Sequence, residues 1–395
     1  MTESGRHADR GRRWFCTALL VTGIAASAVA SAAAVLSLVM ARAVVTPPSR
    51  RGEDIAILGV DSAEDTVTLS LTLDSAVPGQ YGLWFSGDTG HARLGAIVRR
   101  TSHSVTRRVL GIDFGELSSA THARFSGWFY LSPHDLDYPS EDIEIPTALG
   151  PAPAWLIRSA TGTDRWVIQV HGRAVTRAET LRAVPVFHEA GYTSLLMSYR
   201  NDGDAPASSD GRYGLGDTEW LDVESAIQLA VDRGARKIVL MGWSMGGATV
   251  LQTVTRSHLA ERVSGVVLES PVVRWRDTFE FQARMLHLPR IIGVAAYAIV
   301  GRHWAGKITG LARPIDLDKL DVVRNAAGLT VPVLLMHSDD DGYVPSDASH
   351  LLAAARPDKV TMETFSIARH TKLWNYDPER WNRAITKWLA ILRPE

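Results

Sequence analysis

The sequence contains almost no cysteine, which excludes one class of stabilising bond. Cys16 is the single cysteine among 395 residues, so neither an intramolecular disulfide nor a cysteine-based metal site can form. Neither sign of charge dominates, since the formal net charge is −1, and a partner such as nucleic acid is therefore not expected. Neither GxxxxGK[ST] nor a strand-linked GxGxxG is present, so we predict no nucleotide cofactor. The aspartates between residues 202 and 217 do not match the spacing of an EF-hand loop, so we predict no metal.

The longest uncharged stretch lies near the N-terminus, at residues 14–41. About 20 apolar residues span a bilayer, whereas the apolar core of a signal peptide usually has about 7–15. The preceding RHADRGRR favours a cytoplasmic N-terminus. We therefore expect a cytoplasmic segment 1–13, a single-pass transmembrane anchor 14–41 and an exposed linker 42–52, with the rest of the chain on the extracytoplasmic side. Secretion after signal cleavage near ASAVASAAA is the alternative.

Residues 53–140 carry the pattern of short β-strands. In DTVTLSLTLD the apolar residues alternate with polar ones, so that Val67, Leu69, Leu71 and Leu73 are expected on one face. Further short apolar runs follow, separated by turn-forming residues. We predict an antiparallel, β-rich accessory region that is structural or shapes the entrance to a site elsewhere.

From residue 141 onwards, strand and helix patterns alternate. The predicted strands are EDIEIPT, APAWLIRS, RWVIQVHG, TSLLMSYR, KIVLMGWS, VSGVVLES, VPVLLMHS and VTMETFS. The predicted helices cover residues 176–190, 218–233, 246–258, 346–356 and 377–392. Such alternation predicts an α/β fold with a doubly wound, mostly parallel sheet over residues 141–395. Residues 274–328 interrupt it as a helical insert, expected above the carboxyl ends of the strands, where ligands bind.

The segment KIVLMGWSMGGATVL predicts a strand, a sharp turn and a helix around Ser244. In this context Gly-x-Ser-x-Gly is typical of a nucleophilic serine. A serine hydroxyl needs a base to accept its proton, and the base needs an orienting carboxylate. Two later strand ends supply candidates, namely the acidic run in VPVLLMHSDDDGYVP and His370 in FSIARHTKLW. The chain order is therefore serine, acid, histidine.

Three of these segments, GWSMGG, HSDDDGYVP and ARHTKLWNYDPERW, resemble the α/β-hydrolase superfamily over roughly residues 141–393. The similarity is closest to its serine esterase, acylglycerol-lipase and serine-aminopeptidase-like branch. The acid loop of that family commonly reads His-Gly-x-x-Asp-x-x-Val-Pro, which places the acid on Asp341 and puts Ser338 where glycine is usual. Asp339 and Asp340 remain alternatives, because three consecutive aspartates leave the register open.

The resemblance also implies an oxyanion hole, built from backbone N–H groups. Its donors are expected at Met245, the residue after the nucleophile, and at Arg173, with Ala174 as the alternative for the second. His171, in the His-Gly pair after the third strand of the family's sheet, is expected to be structural.

These residues together predict a membrane-anchored serine hydrolase of the carboxylesterase or lipase kind (EC 3.1.1). The substrate is expected to be a small-molecule or lipid ester. Amide or peptide hydrolysis and acyl transfer remain alternatives, since a fold does not fix its substrate. A non-catalytic envelope binding module is a further alternative. The sequence carries no signal for an oligomeric state.

Overall fold

The chain forms an N-terminal helix, a small β-barrel and an α/β unit with a helical insert. The computed structural model describes residues 27–48, 51–162 and 164–392. The strands are β1 (Ile55–Asp61), β2 (Thr66–Ser70), β3 (Tyr81–Phe85), β4 (Gly90–Arg100), β5 (Ser104–Phe114), β6 (His122–Ser126), β7 (Ser140–Thr147), β8 (Gly150–Ile157), β9 (Arg165–Val170), β10 (Thr193–Met197), β11 (Lys237–Trp243), β12 (Val263–Glu269), β13 (Val333–Ser338) and β14 (Val360–Phe365). The helices are α1 (Ser27–Val45), α2 (Val184–Glu189), α3 (Trp220–Asp232), α4 (Met245–Arg256), α5 (Trp275–Met285), α6 (Arg290–Val300), α7 (Gly306–Thr309), α8 (Asp347–Ala355), α9 (Leu373–Tyr376) and α10 (Pro378–Ile391).

Helix α1 is long and apolar enough to cross a membrane, with 19 residues and a mean hydropathy of 2.1. The expected cytoplasmic segment and residues 14–26 of the expected anchor lie outside the described residues. The helix continues to Val45, beyond residue 41, where the anchor is expected to end. Ala41 and Val45 are fully buried, since the last turn of α1 packs against the core of the α/β unit. The first residues of the expected linker are therefore part of a docked helix.

The β-rich region is a closed, six-stranded antiparallel barrel. Its strand order is β1-β2-β5-β4-β3-β6, and β6 pairs with β1 to close it. Val67 and Leu69 point into its core as the alternation predicts. The predicted stripe ends early, however, because β2 stops at Ser70 and the chain turns. Leu73 consequently lies outside the strand and is 70% exposed.

A charged side chain, Arg107, lies in the barrel core with no exposed surface. Its guanidinium donates hydrogen bonds to the carbonyls of Ser75 (3.1 Å), Gly79 (3.1 Å), Gly95 (2.7 Å) and Val77. Burial lowers the pKa of Arg107 to about 10. These hydrogen bonds compensate for the loss of water around the buried guanidinium. Those to Ser75, Val77 and Gly79 also hold the loop that follows β2 in one conformation.

The α/β unit is built on an eight-stranded sheet of order β14-β13-β12-β11-β9-β10-β8-β7. The six strands β9 to β14 are parallel to one another, and β8 and β7 form an antiparallel edge beside β10. Helices α3, α4 and α8 cover one face, and α2 and α10 cover the other. The prediction of a doubly wound, mostly parallel sheet is thus confirmed. The helix predicted over 176–190 is a 3-10 helix, Arg177–Ala183, followed by α2.

The insert between β12 and β13 contains α5, α6 and α7. Trp275 and Phe279 of α5 line the same cavity as Ser244, at the carboxyl end of β11. This is the position expected for a helical insert over the carboxyl edge of the sheet.

The barrel is joined to the α/β unit through Asn375 of α9. The Asn375 side chain donates to the carbonyls of Gln80 (2.9 Å) and Gly127 (3.1 Å), and its oxygen accepts from Arg182 (2.7 Å). Its own carbonyl accepts from the N–H of Gln80 at 2.9 Å. One asparagine therefore bonds two barrel loops and the α/β unit.

Gly79→Ala is expected to lower the unfolding temperature by several degrees. Gly79 has φ +118°, and a Cβ there would lie 2.1 Å from the carbonyl oxygen of Asn375. Such overpacking costs about 1–3 kcal/mol, added to the backbone strain. Gly87→Ala is the matched control, because Gly87 also has positive φ (+68°) but no atom within 4 Å of its Cβ position. Equal unfolding temperatures for the two variants, measured by thermal denaturation, would contradict this interface.

Candidate active site

Ser244 stands on a tight turn between β11 and α4. Its φ and ψ are 49° and −116°, a strained conformation for a residue with a Cβ. The glycines on either side permit the turn. A Cβ on Gly242 would lie 2.6 Å from the carbonyl oxygen of Gly246, and one on Gly246 would lie 2.2 Å from that of Val170. The side chain of Ser244 is thereby held at the carboxyl edge of the sheet, beside the end of β9.

His370 lies in the loop between β14 and α9, directly beside Ser244. Its Nε2 is 2.9 Å from Ser244 Oγ, and its Nδ1 is 2.7 Å from Asp341 Oδ2. The ring of Tyr343 stacks on the imidazole with ring centroids 5.2 Å apart. The three side chains therefore form a continuous hydrogen-bonded line from carboxylate to hydroxyl.

Asp341 follows β13 and is almost completely buried. Its Oδ1 accepts hydrogen bonds from the N–H groups of Tyr343 and Val344, both at 2.8 Å, and its Oδ2 lies 3.2 Å from His337 Nε2. Burial opposes ionisation, but the charge of His370 and the hydrogen bonds from both histidines hold the pKa of Asp341 well below its usual range. The carboxylate is thus ionised and fixed toward His370.

The two neighbouring aspartates point elsewhere. Asp339 accepts from Ser346 Oγ (2.8 Å) and lies 2.9 Å from His350 Nε2. Asp340 pairs with Arg369 at 3.2 Å. Of the three consecutive acids, the structure brings Asp341 to the histidine. Among the described residues, no group of three His, Cys, Asp or Glu side chains is placed to hold a metal ion.

The loop after β9 lies against the nucleophile turn. A Cβ on Gly172 would be 3.4 Å from Ser244 Cβ, and Arg173, the next residue, lines the same cavity as Ser244. His171 is fully buried, stacks on Tyr199 with ring centroids 4.3 Å apart, and has its Nδ1 2.8 Å from the Gly172 carbonyl. Burial lowers the pKa of His171 to about 4. The imidazole is therefore neutral and packs as part of the loop.

Comparison with known proteins bears on the fold and the family. Residues 170–384, more than half of the chain, match the sequence profile of a family described as the alpha/beta hydrolase family. The chain belongs to the α/β hydrolase family. The barrel, at residues 56–126, matches a family described as a domain of unknown function (DUF8805).

Individual relatives of this α/β hydrolase are distant. A putative carbamate hydrolase, RutD, of Klebsiella pneumoniae (strain 342) is 27% identical over 206 residues, which cover 44% of this chain and 73% of RutD. The solved structure of the esterase Pf2001 of Pyrococcus furiosus superposes with a TM-score of 0.52 at 18% identity, covering 66% of this chain and 94% of the esterase. A second crystal form of that esterase gives a TM-score of 0.51 at 20% identity, over 66% of this chain and 93% of the esterase. At these identities the structural similarity shows the fold alone.

Glu179, which the sequence does not single out, links two loops of the hydrolase site. This buried carboxylate accepts from the N–H of Gly172 at 3.2 Å and from Thr371 Oγ1 at 3.4 Å, and it lies 3.6 Å from the guanidinium of Arg182. It therefore joins the loop after β9 to the loop that carries His370. No sequence signal could have found it, because RAETLRA reads as an ordinary helical segment.

The cavity beside Ser244 is small and mostly apolar. It measures about 30 Å³, and its apolar lining comes from Met40, Val44, Val272, Trp275 and Phe279. A larger cavity of about 260 Å³ lies elsewhere. Two of its charged lining residues are paired with residues outside the lining, Arg200 with Asp222 and Asp217 with Arg256. Ser244 does not line that cavity.

Asp341→Asn is expected to slow the labelling of Ser244 by a fluorophosphonate probe by about 10³–10⁴-fold, because an amide favours the wrong imidazole tautomer. Asp339→Asn is the matched control two residues away, and it should label within about threefold of wild type, since Asp339 bonds only to Ser346 and His350. Labelling rates would be followed by intact-protein mass spectrometry. An equal loss in both variants would contradict the assignment of the acid.

Proposed function

We propose that this chain is a membrane-anchored serine hydrolase that cleaves carboxylic esters through an acyl-enzyme intermediate. One observation carries the proposal. Asp341, His370 and Ser244 form an unbroken hydrogen-bonded line, with distances of 2.7 and 2.9 Å, on a strained turn at the mouth of an apolar cavity. This is the arrangement that raises the nucleophilicity of a serine hydroxyl.

In the proposed mechanism, Ser244 Oγ attacks the carbonyl carbon of the ester while His370 Nε2 accepts the hydroxyl proton. His370 then donates this proton to the leaving alcohol, which departs as the acyl-enzyme forms. Water then attacks the acyl carbon and loses a proton to His370. His370 returns this proton to Ser244 Oγ as the bond between Oγ and the acyl carbon breaks, which releases the acid and restores the free enzyme. Asp341 keeps the Nδ1 proton of His370 in place and stabilises the imidazolium in both steps.

The negative charge on the carbonyl oxygen needs two N–H donors. Met245 is the first residue of α4, where the helix dipole favours an anion. The loop after β9 supplies the second donor. Of the two candidates on this loop, Arg173 lines the cavity beside Ser244 and Ala174 does not. We therefore assign the second donor to Arg173.

The ester assignment is supported by the apolar lining of the cavity. Its one charged lining side chain, Arg173, is engaged by three backbone carbonyls and is not free to bind an acidic substrate. A carbamate is the second candidate, favoured by the similarity to RutD, a putative carbamate hydrolase. Both substrate classes present the same kind of carbonyl to Ser244.

Ser244→Ala is expected to lower kcat for p-nitrophenyl ester hydrolysis by about 10⁴-fold or more, because the nucleophile is lost. The assay uses the full chain in detergent, a matched p-nitrophenyl carbamate, and Ser225→Ala on α3 as the control that should stay fully active. Faster turnover of the carbamate would favour the second candidate. Turnover that survives in Ser244→Ala would overturn the mechanism, and products formed with added alcohols would reveal acyl transfer. If the folded wild-type protein neither turns over these substrates nor reacts with a fluorophosphonate probe, a non-catalytic binding module would be favoured instead.

Membrane residence is proposed from α1 and from the arginines that precede the uncharged run. The run at residues 14–41 exceeds the length that a bilayer needs, and the excess of arginine before it orients the catalytic unit to the extracytoplasmic side. A cleaved signal would place the same catalytic unit outside the cell without an anchor.

In bacterial cells producing the full chain, we expect the protein to stay with the membrane after alkaline carbonate extraction, with an uncleaved N-terminus by mass spectrometry. External protease should digest it in spheroplasts but leave a cytoplasmic control protein intact. A soluble product that begins within ASAVASAAA would contradict the anchor.

A further inference from the structure

The C-terminal end of α1 is capped by the oxyanion loop of the catalytic unit. A helix leaves its last four carbonyl groups without partners of its own. Here Arg173 donates from Nε to the carbonyl of Val44 (2.9 Å) and from Nη2 to the carbonyls of Ala43 and Thr46 (2.8 Å each). A cation at a helix C-terminus is also favoured by the helix dipole. The side chain of one proposed oxyanion residue thus fixes the end of the apolar helix.

Two further contacts hold the same turn. The carbonyl of Val45 accepts from the N–H of Tyr213 at 2.9 Å, and Arg42 donates to the carbonyl of Ile308 in the insert at 2.6 Å. The end of α1 is therefore bonded to the catalytic unit on one side and to the insert on the other. Its position relative to Ser244 is defined by hydrogen bonds as well as by apolar packing.

The docked turn presents two side chains to the reaction centre. Met40 and Val44, four residues apart on one helix face, line the same cavity as Ser244. Met40 is only 7% exposed, whereas the preceding Val39 is 59% exposed on another face of the helix. With a volume of about 30 Å³, the cavity has room for roughly two water molecules. The side chains of α1 therefore limit the space available next to the nucleophile.

We propose that the end of α1 is a wall of the acyl pocket and that Met40 and Val44 set the length of the acyl group that the enzyme accepts. This inference rests on the proposed esterase function and deepens it. The oxyanion loop and this wall are fixed to each other through Arg173, so the wall keeps a constant distance from the carbonyl that Ser244 attacks. Short acyl groups are the expected substrates of the wild-type chain.

The experiment measures kcat/KM of the full chain in detergent for p-nitrophenyl esters from acetate to dodecanoate. Met40→Ala lengthens the pocket and is expected to raise the octanoate-to-acetate ratio by at least about tenfold, the discrimination that one methylene in an apolar pocket commonly produces. Val44→Phe fills the pocket and should lower the same ratio by a similar factor. Opposite shifts cannot arise from a general loss of folded protein.

Val39→Ala is the matched control on the same helix, and its ratio should stay within about twofold of wild type. Fluorophosphonate labelling of Ser244 reports the folded, active fraction of every variant. Ratios equal to wild type in both Met40→Ala and Val44→Phe, with normal labelling, would overturn the inference while leaving the esterase function intact. A wild-type chain without turnover that depends on Ser244 would overturn the proposed function, and the inference with it.

Discussion

The close approach of the nucleophile turn to the end of β9 is the constraint on which the site depends. A Cβ at Gly246 would lie 2.2 Å from the carbonyl oxygen of Val170 and 2.3 Å from that of His171, so only glycine allows the contact. The contact forces Ser244 into a positive φ and seats the first turn of α4 on the loop after β9. Ser244 and the N–H groups proposed as oxyanion donors are then brought together by backbone packing, before any side chain of the site is considered. The strain of the turn is offset by the surrounding core, because β11 and α4 are buried along nearly their whole length.

The loops of the site are held by parts of the chain that precede the catalytic unit. On the histidine side, Asp74 of the barrel lies 3.0 Å from Lys372 and 3.9 Å from Arg369, the residues that flank His370 at a distance of one or two positions. On the oxyanion side, Arg51 donates to the carbonyl of Ala174 at 2.6 Å, close to the clamp that Arg173 makes on α1. Both loops carry positive-φ residues, Ala174 and Thr371, and such conformations persist only where the surroundings over-determine them. The barrel and the N-terminal helix supply part of that support.

How much of this could be read from the sequence depends on the range of the interactions. The alternation of apolar runs predicts the sheet and its helices, and the resemblance of the segment before Val344 and Pro345 to the family's acid loop favours Asp341, because both signals are local. The closing of the barrel is not local, since the paired residues of β1 and β6, such as Ile55 and Ala123, are nearly 70 positions apart. The docking of α1 depends on contacts of even longer range, because the hydrogen bonds from Arg173 to the carbonyls of α1 join residues about 130 positions apart. Composition therefore suggested a linker where the structure has a capped helix end. Leu73 is a smaller example of an outcome that the sequence does not predict. The alternating pattern continues through Leu73, although the strand ends at Ser70.

These contacts define the functional unit more widely than the family match does. The match begins at residue 170, yet the cavity beside Ser244 is lined by Met40 and Val44, and the histidine loop is paired with Asp74. An α/β unit cut at residue 141 would keep Ser244, Asp341 and His370. It would lose Met40 and Val44 from the cavity beside Ser244, the bonds from Arg173 to α1, and the ion pairs of Asp74 beside His370. Hydrolases of this fold obtain different specificities by changing the segments that surround a constant triad. In this chain those segments include an apolar helix and a barrel that come before the fold itself. Under the proposals made above, the same helix both lines the acyl pocket and anchors the chain in the membrane.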